Sequence, residues 1–171
     1  MLAFLFTAGH SSRRSGSGAA QSSGPLPAVS VAPPPAPTAA ISAGCTKIFT
    51  KLPVKLGQLD PRATDTDSSF VVAWGDPAIV LRCGVPKPAA LNSPTAAQLV
   101  DVDGVLWQPV LGKRQAVYTT VDRAVYVEVS VPAGADQPLP LLAGAIKSLP
   151  QLCTATDAAG NQTDSKLPVC S

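Results

Sequence analysis

Residues 124–131, Ala-Val-Tyr-Val-Glu-Val-Ser-Val (AVYVEVSV), place Val125, Val127, Val129 and Val131 on one side of an extended chain and Tyr126, Glu128 and Ser130 on the other. Side chains alternate across a strand with a period of two, so this strand has one dry face and one wet face. Such a pattern belongs to an antiparallel sheet covered on one side only. Just before it, Gln115–Val121 is a second β-rich run, and Asp122-Arg123 between them predicts the turn of a hairpin. Further upstream, Gln98–Val102 and Val105–Val110 flank Asp103-Gly104, a dipeptide that readily takes the positive backbone angles of a type I′ turn. Phe70–Trp74 and Ala78–Cys83 flank Gly75-Asp76-Pro77, where Pro77 cannot donate to a ladder and marks the bend.

Helical spacing frames these hairpins. Cys45–Leu52 puts Ile48, Phe49 and Leu52 on one side with Lys47 and Lys51 on a solvated side, and Pro53 ends it. Leu139–Leu149 brings Leu142, Ala145, Ile146 and Leu149 to one stripe, enough to cover a sheet face, and Pro150 follows. Between the first helix and the first hairpin, GQLDPRATDTDSS (57–69) is rich in turn formers and reads as a loop. The expected fold is α+β: a single small domain with a twisted antiparallel sheet of about five or six strands, packed by one or two helices and stapled by disulfides.

The N-terminal region has a different composition. Residues 1–6 (MLAFLF) are apolar but too few to span a bilayer, and no basic residue precedes them. Two readings stay open for residues 1–10: the remnant of a membrane anchor whose start lies upstream, or a weak signal cleaved near Ala8 or Gly9. Residues 11–44 are a Pro/Ala/Ser-rich stretch that cannot bury enough apolar surface to offset chain ordering, and they are expected to be a disordered tether. The globular domain is expected over residues 45–152, with a polar extension over 153–171. Ser42-Ala43-Gly44-Cys45 has the ending of a lipidation site, but prolines stand where such a site needs an apolar core, so Cys45 is better placed in a disulfide.

Cys45, Cys83, Cys153 and Cys170 are even in number, widely spaced and free of CxxC or Cys/His patterns, which argues for two disulfides in an oxidising compartment rather than a metal site. Three pairings are formally open; Cys45 with Cys83 and Cys153 with Cys170 join neighbouring segments and are preferred. The 13 Lys+Arg and 11 Asp+Glu are dispersed, so no field points to nucleic acid. The expected location is extracytoplasmic, in the cell envelope or secreted, with a tie to the cytoplasmic membrane if the start lies upstream.

Several stretches together resemble a known family. They are the Cys45 to Pro53 opening, AWGDPAIVLRCGVPKP (73–88), VDGVLW (102–107) and YTTVDRAVYVEVSVP (118–132). Over roughly residues 45–150 the chain resembles the actinobacterial domain-of-unknown-function 3515 family. The resemblance implies a membrane or lipid anchor followed by a Pro/Ala-rich linker; it implies no activity.

Little catalytic chemistry is available. His10 is the one histidine and precedes the tether, so the folded part has no imidazole base, and paired cysteines leave no thiolate. Asp76, Asp101, Asp103, Asp122 and Glu128 are the candidate acids, of which Asp76, Asp103 and Asp122 are already assigned to turns. No phosphate loop or dinucleotide fingerprint occurs, and no cofactor is expected. Trp74, Arg82, Trp107 and Arg123 are the candidate binding residues, because Trp and Arg are enriched at binding hot spots. Against that stands the strand position of both tryptophans, which also suits the core. The favoured reading is a noncatalytic accessory or binding module contacting an envelope protein or a cell-wall component. The alternatives are a histidine-independent carbohydrate hydrolase or transferase using two carboxylates, and a lipid or small-ligand carrier with an apolar cavity between helix and sheet.

Overall fold

In the computed structural model, which describes residues 25–88, 98–135 and 137–152, the chain forms α1 (Ala39–Phe49), β1 (Pro61–Arg62), β2 (Val71–Trp74), β3 (Ile79–Cys83), β4 (Val100–Val102), β5 (Val105–Leu111), β6 (Gln115–Thr120), β7 (Val127–Pro132) and α2 (Leu139–Ile146). The strands make one seven-stranded antiparallel sheet in the order β1-β2-β3-β7-β6-β5-β4. That is one strand more than the upper expectation. The extra one, β1, is two residues long and starts with Pro61, so it carries no periodicity to read.

The three hairpins are present, and their turns differ from one another. Asp103 (φ 51°) and Gly104 (φ 76°) take the left-handed angles a type I′ turn demands, and Asp101 Oδ1 accepts the Gly104 N–H at 2.9 Å. The bend after β2 contains a cis Asp76–Pro77 peptide. Between β6 and β7 the expected two-residue turn is replaced by a loop over 121–126 that folds inward, burying Asp122 and Arg123. Backbone bonds from Ala124 N to Pro150 O (3.1 Å) and from Leu152 N to Asp122 O (2.9 Å) tie this loop to the segment after α2.

Both helices cover the same face of the sheet. Val127, Val129 and Val131 of β7 point into a core with Ile48, Leu142 and Ile146, all at most 4% exposed. Full burial of each such side chain contributes roughly 2 kcal/mol against chain entropy. α1 starts six residues before the expected Cys45, capped by the Thr38 hydroxyl, which accepts the Ile41 N–H at 3.3 Å. Ala39 and Ala40 then continue as good helix formers. The boundary expected between residues 44 and 45 therefore lies inside a helix.

Cys45 in α1 is bonded to Cys83 at the end of β3 (S–S 2.07 Å), clamping helix to sheet and removing the thiol that lipidation would need. The proposed Cys153–Cys170 pair lies outside the described residues. Gly84, at φ 86°, lets the chain leave β3 beneath α1; a Cβ there would sit 2.8 Å from Ile41 Cγ2.

Residues 27–32, expected to be part of a free tether, cross the opposite face of the sheet as an extended strap. Val29 donates to Ala63 O (2.8 Å) and accepts from Asp65 N (3.0 Å), while Pro27 O and Ala32 O accept from Arg62 and Arg82 (2.7 and 3.0 Å). Pro27 fits this strap because its part is to accept from Arg62 through its carbonyl oxygen, which asks for no backbone donor.

Candidate functional site

Register fixes what the helix-free face displays. Paired residues on neighbouring antiparallel strands point the same way, so Arg82, Glu128, Thr119 and Gln108 form one row across β3, β7, β6 and β5. Val80, Ser130, Val117 and Val110 form the next row along the strands. The wet side of the AVYVEVSV strand is thus the middle of this surface.

The strap on one side and the turn after β5 on the other raise walls above these rows. The result is an open groove of about 1110 Å3, floored by Val80, Val117 and Ser130 and bounded by Val29–Ala32 and Gly112–Gln115. A second recess of about 700 Å3 lies across the strap, between Ser30–Pro33 and Asp65–Ser68.

At one end of the main groove, Arg82 donates twice to Glu128 Oε1, from Nε at 3.0 Å and Nη2 at 2.7 Å, and its Nη1 reaches Ala32 O at 3.0 Å. Both side chains remain partly exposed (25% and 19%). The guanidinium is therefore fixed by three charge-assisted bonds, and one of them holds the strap. At the other end stand Lys113 and Arg114, both exposed and in no ion pair among the described residues.

Of the four candidate binding residues, Arg82 alone lies on this surface. Trp74 and Trp107 are 1% and 0% exposed, on the helix side of the sheet. Trp74 Nε1 donates to Val54 O at 3.1 Å, whereas Trp107 Nε1 has no acceptor. Arg123 is 2% exposed and bound to Asp122 Oδ2 (2.6 Å) and Gly104 O (2.6 Å). These three build the fold and cannot touch a ligand without opening it. Burial lifts the Asp122 carboxyl above the usual carboxylate range, with Arg123 and the Leu106 N–H pulling the other way.

Among the described residues lining the main groove, Glu128 is the one carboxylate, so the paired acids a carbohydrate hydrolase needs do not converge there. Between helices and sheet, the space a carrier would hollow out is filled by Trp74, Trp107, Ile48, Leu81 and Leu142, each at most 1% exposed. No group of three or more His, Cys, Asp or Glu is placed to hold a metal among the described residues.

Residues 2–153 match the family described as Protein of unknown function (DUF3515). The chain belongs to that family. The match reaches well before residue 45, in keeping with a DUF3515 domain whose strap and early α1 are parts of the fold. Comparison with curated proteins and with solved structures gave no match.

Sequence alone pointed to Arg82 but not to Lys113, Arg114, Gln115 or Ser130. Their shared surface exists only once β3, β7 and β6 are neighbours, although a Gly-Lys-Arg turn was readable as a charged loop tip. The Cys45–Cys83 disulfide suggests an oxidising, extracytoplasmic location, and no helix among the described residues is long and apolar enough to cross a membrane.

Proposed function

We propose that this DUF3515 domain is a noncatalytic extracytoplasmic binding module of the cell envelope, and that the groove beside the strap is its contact surface. The observation that supports this is the split between the two faces of one sheet. One face carries both helices and the disulfide, and the other, where Thr119 and Gln108 are buried, bears an open groove with a fixed Arg82–Glu128 pair and a free cationic turn. Partly buried, hydrogen-bonded charge beside an aliphatic floor is what orients a bound partner. The partner is an envelope protein or a wall component.

A photo-crosslinking residue placed at Gln115 in the groove, and separately at Lys51 beyond the end of α1, tests this in intact cells. Capture of one defined partner from position 115 and its absence from position 51 is the expected result. The same scatter of neighbours from both positions would overturn the groove as the contact surface.

A further inference from the structure

We infer that the partner presents an extended, acidic peptide segment, laid along β7 and β6 between the strap and the turn after β5. This rests on the groove being the contact surface and goes on to name what fills it.

The first ground is length. The groove runs along β7 from the row of Glu128 to the row of Pro132, about 13 Å at the strand rise of about 3.3 Å per residue. An extended peptide of about four residues spans that distance.

The second is the chemistry of the lining. The floor is aliphatic, from Val80, Val117 and Pro132, with one hydroxyl from Ser130, and the lining contains no Trp, Tyr or Phe. Rings, whether sugars or bases, are gripped by stacking on aromatic faces, which this groove does not offer. Short side chains alternating along an extended backbone suit an aliphatic floor.

The third is precedent within the molecule. The strap is itself an extended Val/Ala/Pro segment beside this face: Val29 pairs edge-on with residues 63–65 next to β1, and the Pro27 and Ala32 carbonyl oxygens accept from the Arg62 and Arg82 side chains. Arg82, at the end of the groove, thus already holds an extended backbone by a carbonyl oxygen, and the groove is the adjoining lane.

The fourth is charge. Glu128 offsets Arg82 at one end, so the uncompensated charge in the lining is that of Lys113 and Arg114 at the other. Exposed cations of this kind select and steer a partner more than they hold it. Carboxylates at one end of the segment complete the match.

The test uses the oxidised full chain, read by fluorescence anisotropy at about 20 mM ionic strength, where surface charge is little screened. The probes are a labelled peptide of about eight alternating Glu and Ala residues, long enough to overrun the groove at both ends, its Lys-for-Glu counterpart, and an oligogalacturonate of the same charge. The paired variant Lys113→Glu/Arg114→Glu changes only exposed side chains, and Lys47→Glu/Lys51→Glu on and just beyond α1 is the charge-matched control.

The acidic peptide should bind about tenfold more tightly than its basic counterpart, lose that margin in the groove variant and keep it in the control. Binding of oligogalacturonate alone, lost in the groove variant, would overturn the peptide inference and leave the groove as the contact surface. Binding that is indifferent to Lys113 and Arg114 for every probe would overturn both.

Discussion

Asp122 and Arg123, adjacent in sequence, close a buried ion pair on themselves: Arg123 Nη1 lies 2.6 Å from Asp122 Oδ2 and 3.2 Å from the Asp122 carbonyl oxygen. The Leu106 N–H (3.2 Å) and Gln151 Nε2 (3.4 Å) complete the carboxylate's partners. Two charges taken from water repay their desolvation only while both are present. Arg123→Ala should therefore destabilise the domain by about 3–5 kcal/mol in urea unfolding, and the volume-matched pair Asp122→Leu/Arg123→Met by clearly less.

The same pair sets a pH dependence. Burial already raises the Asp122 carboxyl, and without Arg123 the largest opposing pull is gone. A carboxyl whose folded pKa exceeds its unfolded one binds more protons in the folded state, so stability falls as pH rises through that window. Arg123→Ala should accordingly recover part of its lost stability between about pH 7 and about pH 4, measured as a rise in the urea midpoint relative to wild type. A constant deficit across that range would contradict a buried unpaired carboxylate.

The strap makes the opposite prediction. Asp65 accepts the Val31 N–H at 2.9 Å, and that bond, followed by one from Ser30, holds its carboxyl below the usual range. A depressed pKa gives stability that is present above the unfolded value and lost as pH falls through the folded one. The Val31 amide proton shift should titrate with an inflection below 3.8, and Asp65→Asn should abolish the inflection. An inflection at or above 3.8 would mean that strap and Asp65 are not bonded in solution.

The two tryptophans separate cleanly. Trp74→Phe removes a hydrogen bond to Val54 O, whereas Trp107→Phe removes a buried N–H that has no acceptor. Both lose similar ring volume, so Trp74→Phe should be the costlier by about 1 kcal/mol or more in thermal or urea unfolding. Neither should alter binding at the groove, which lies on the other face.

Reduction should be felt as a change in chain entropy. The Cys45–Cys83 bond closes a loop with a sequence separation of 38, which in the chain-entropy treatment corresponds to about 4 kcal/mol. Cys45→Ala/Cys83→Ala should lower stability by about that amount in urea unfolding under oxidising conditions.

How much of this was legible in the sequence depended on whether a residue's role was local. Asp103-Gly104 announced its turn because positive φ is a property of the dipeptide itself, and the β7 valines announced a dry face because alternation needs no partner. Asp122-Arg123 looked like another polar turn, since two adjacent charges are usually solvated; only the tail at 150–152 packing over them turns the pair inward. Residues 27–32 read as tether because Pro/Ala composition lacks apolar bulk. Their docking relies on backbone acceptors and on Arg62 and Arg82, which composition does not reveal. The groove was the least legible, being assembled from the strap, three strands and a turn that are far apart in the chain.

The far edge of the sheet carries one last consequence. Leu106 O accepts from Val121 N and Gly112 N donates to Gln115 O, so even-numbered residues of β5 turn their backbone toward β6 and odd-numbered ones away. β4 pairs only as far as Trp107, leaving the outer flank of β5 beyond it without a strand among the described residues, beside exposed Val110 and Leu111. Of the two β5 residues whose nitrogens face that flank, Pro109 and Leu111, Pro109 has no hydrogen to give. A second molecule zipping on edge to edge would meet a gap in the donor row just where the apolar side chains invite it. Pro109→Thr should restore the donor, and a shift toward larger species in sedimentation velocity would show that a single pyrrolidine ring keeps these molecules apart.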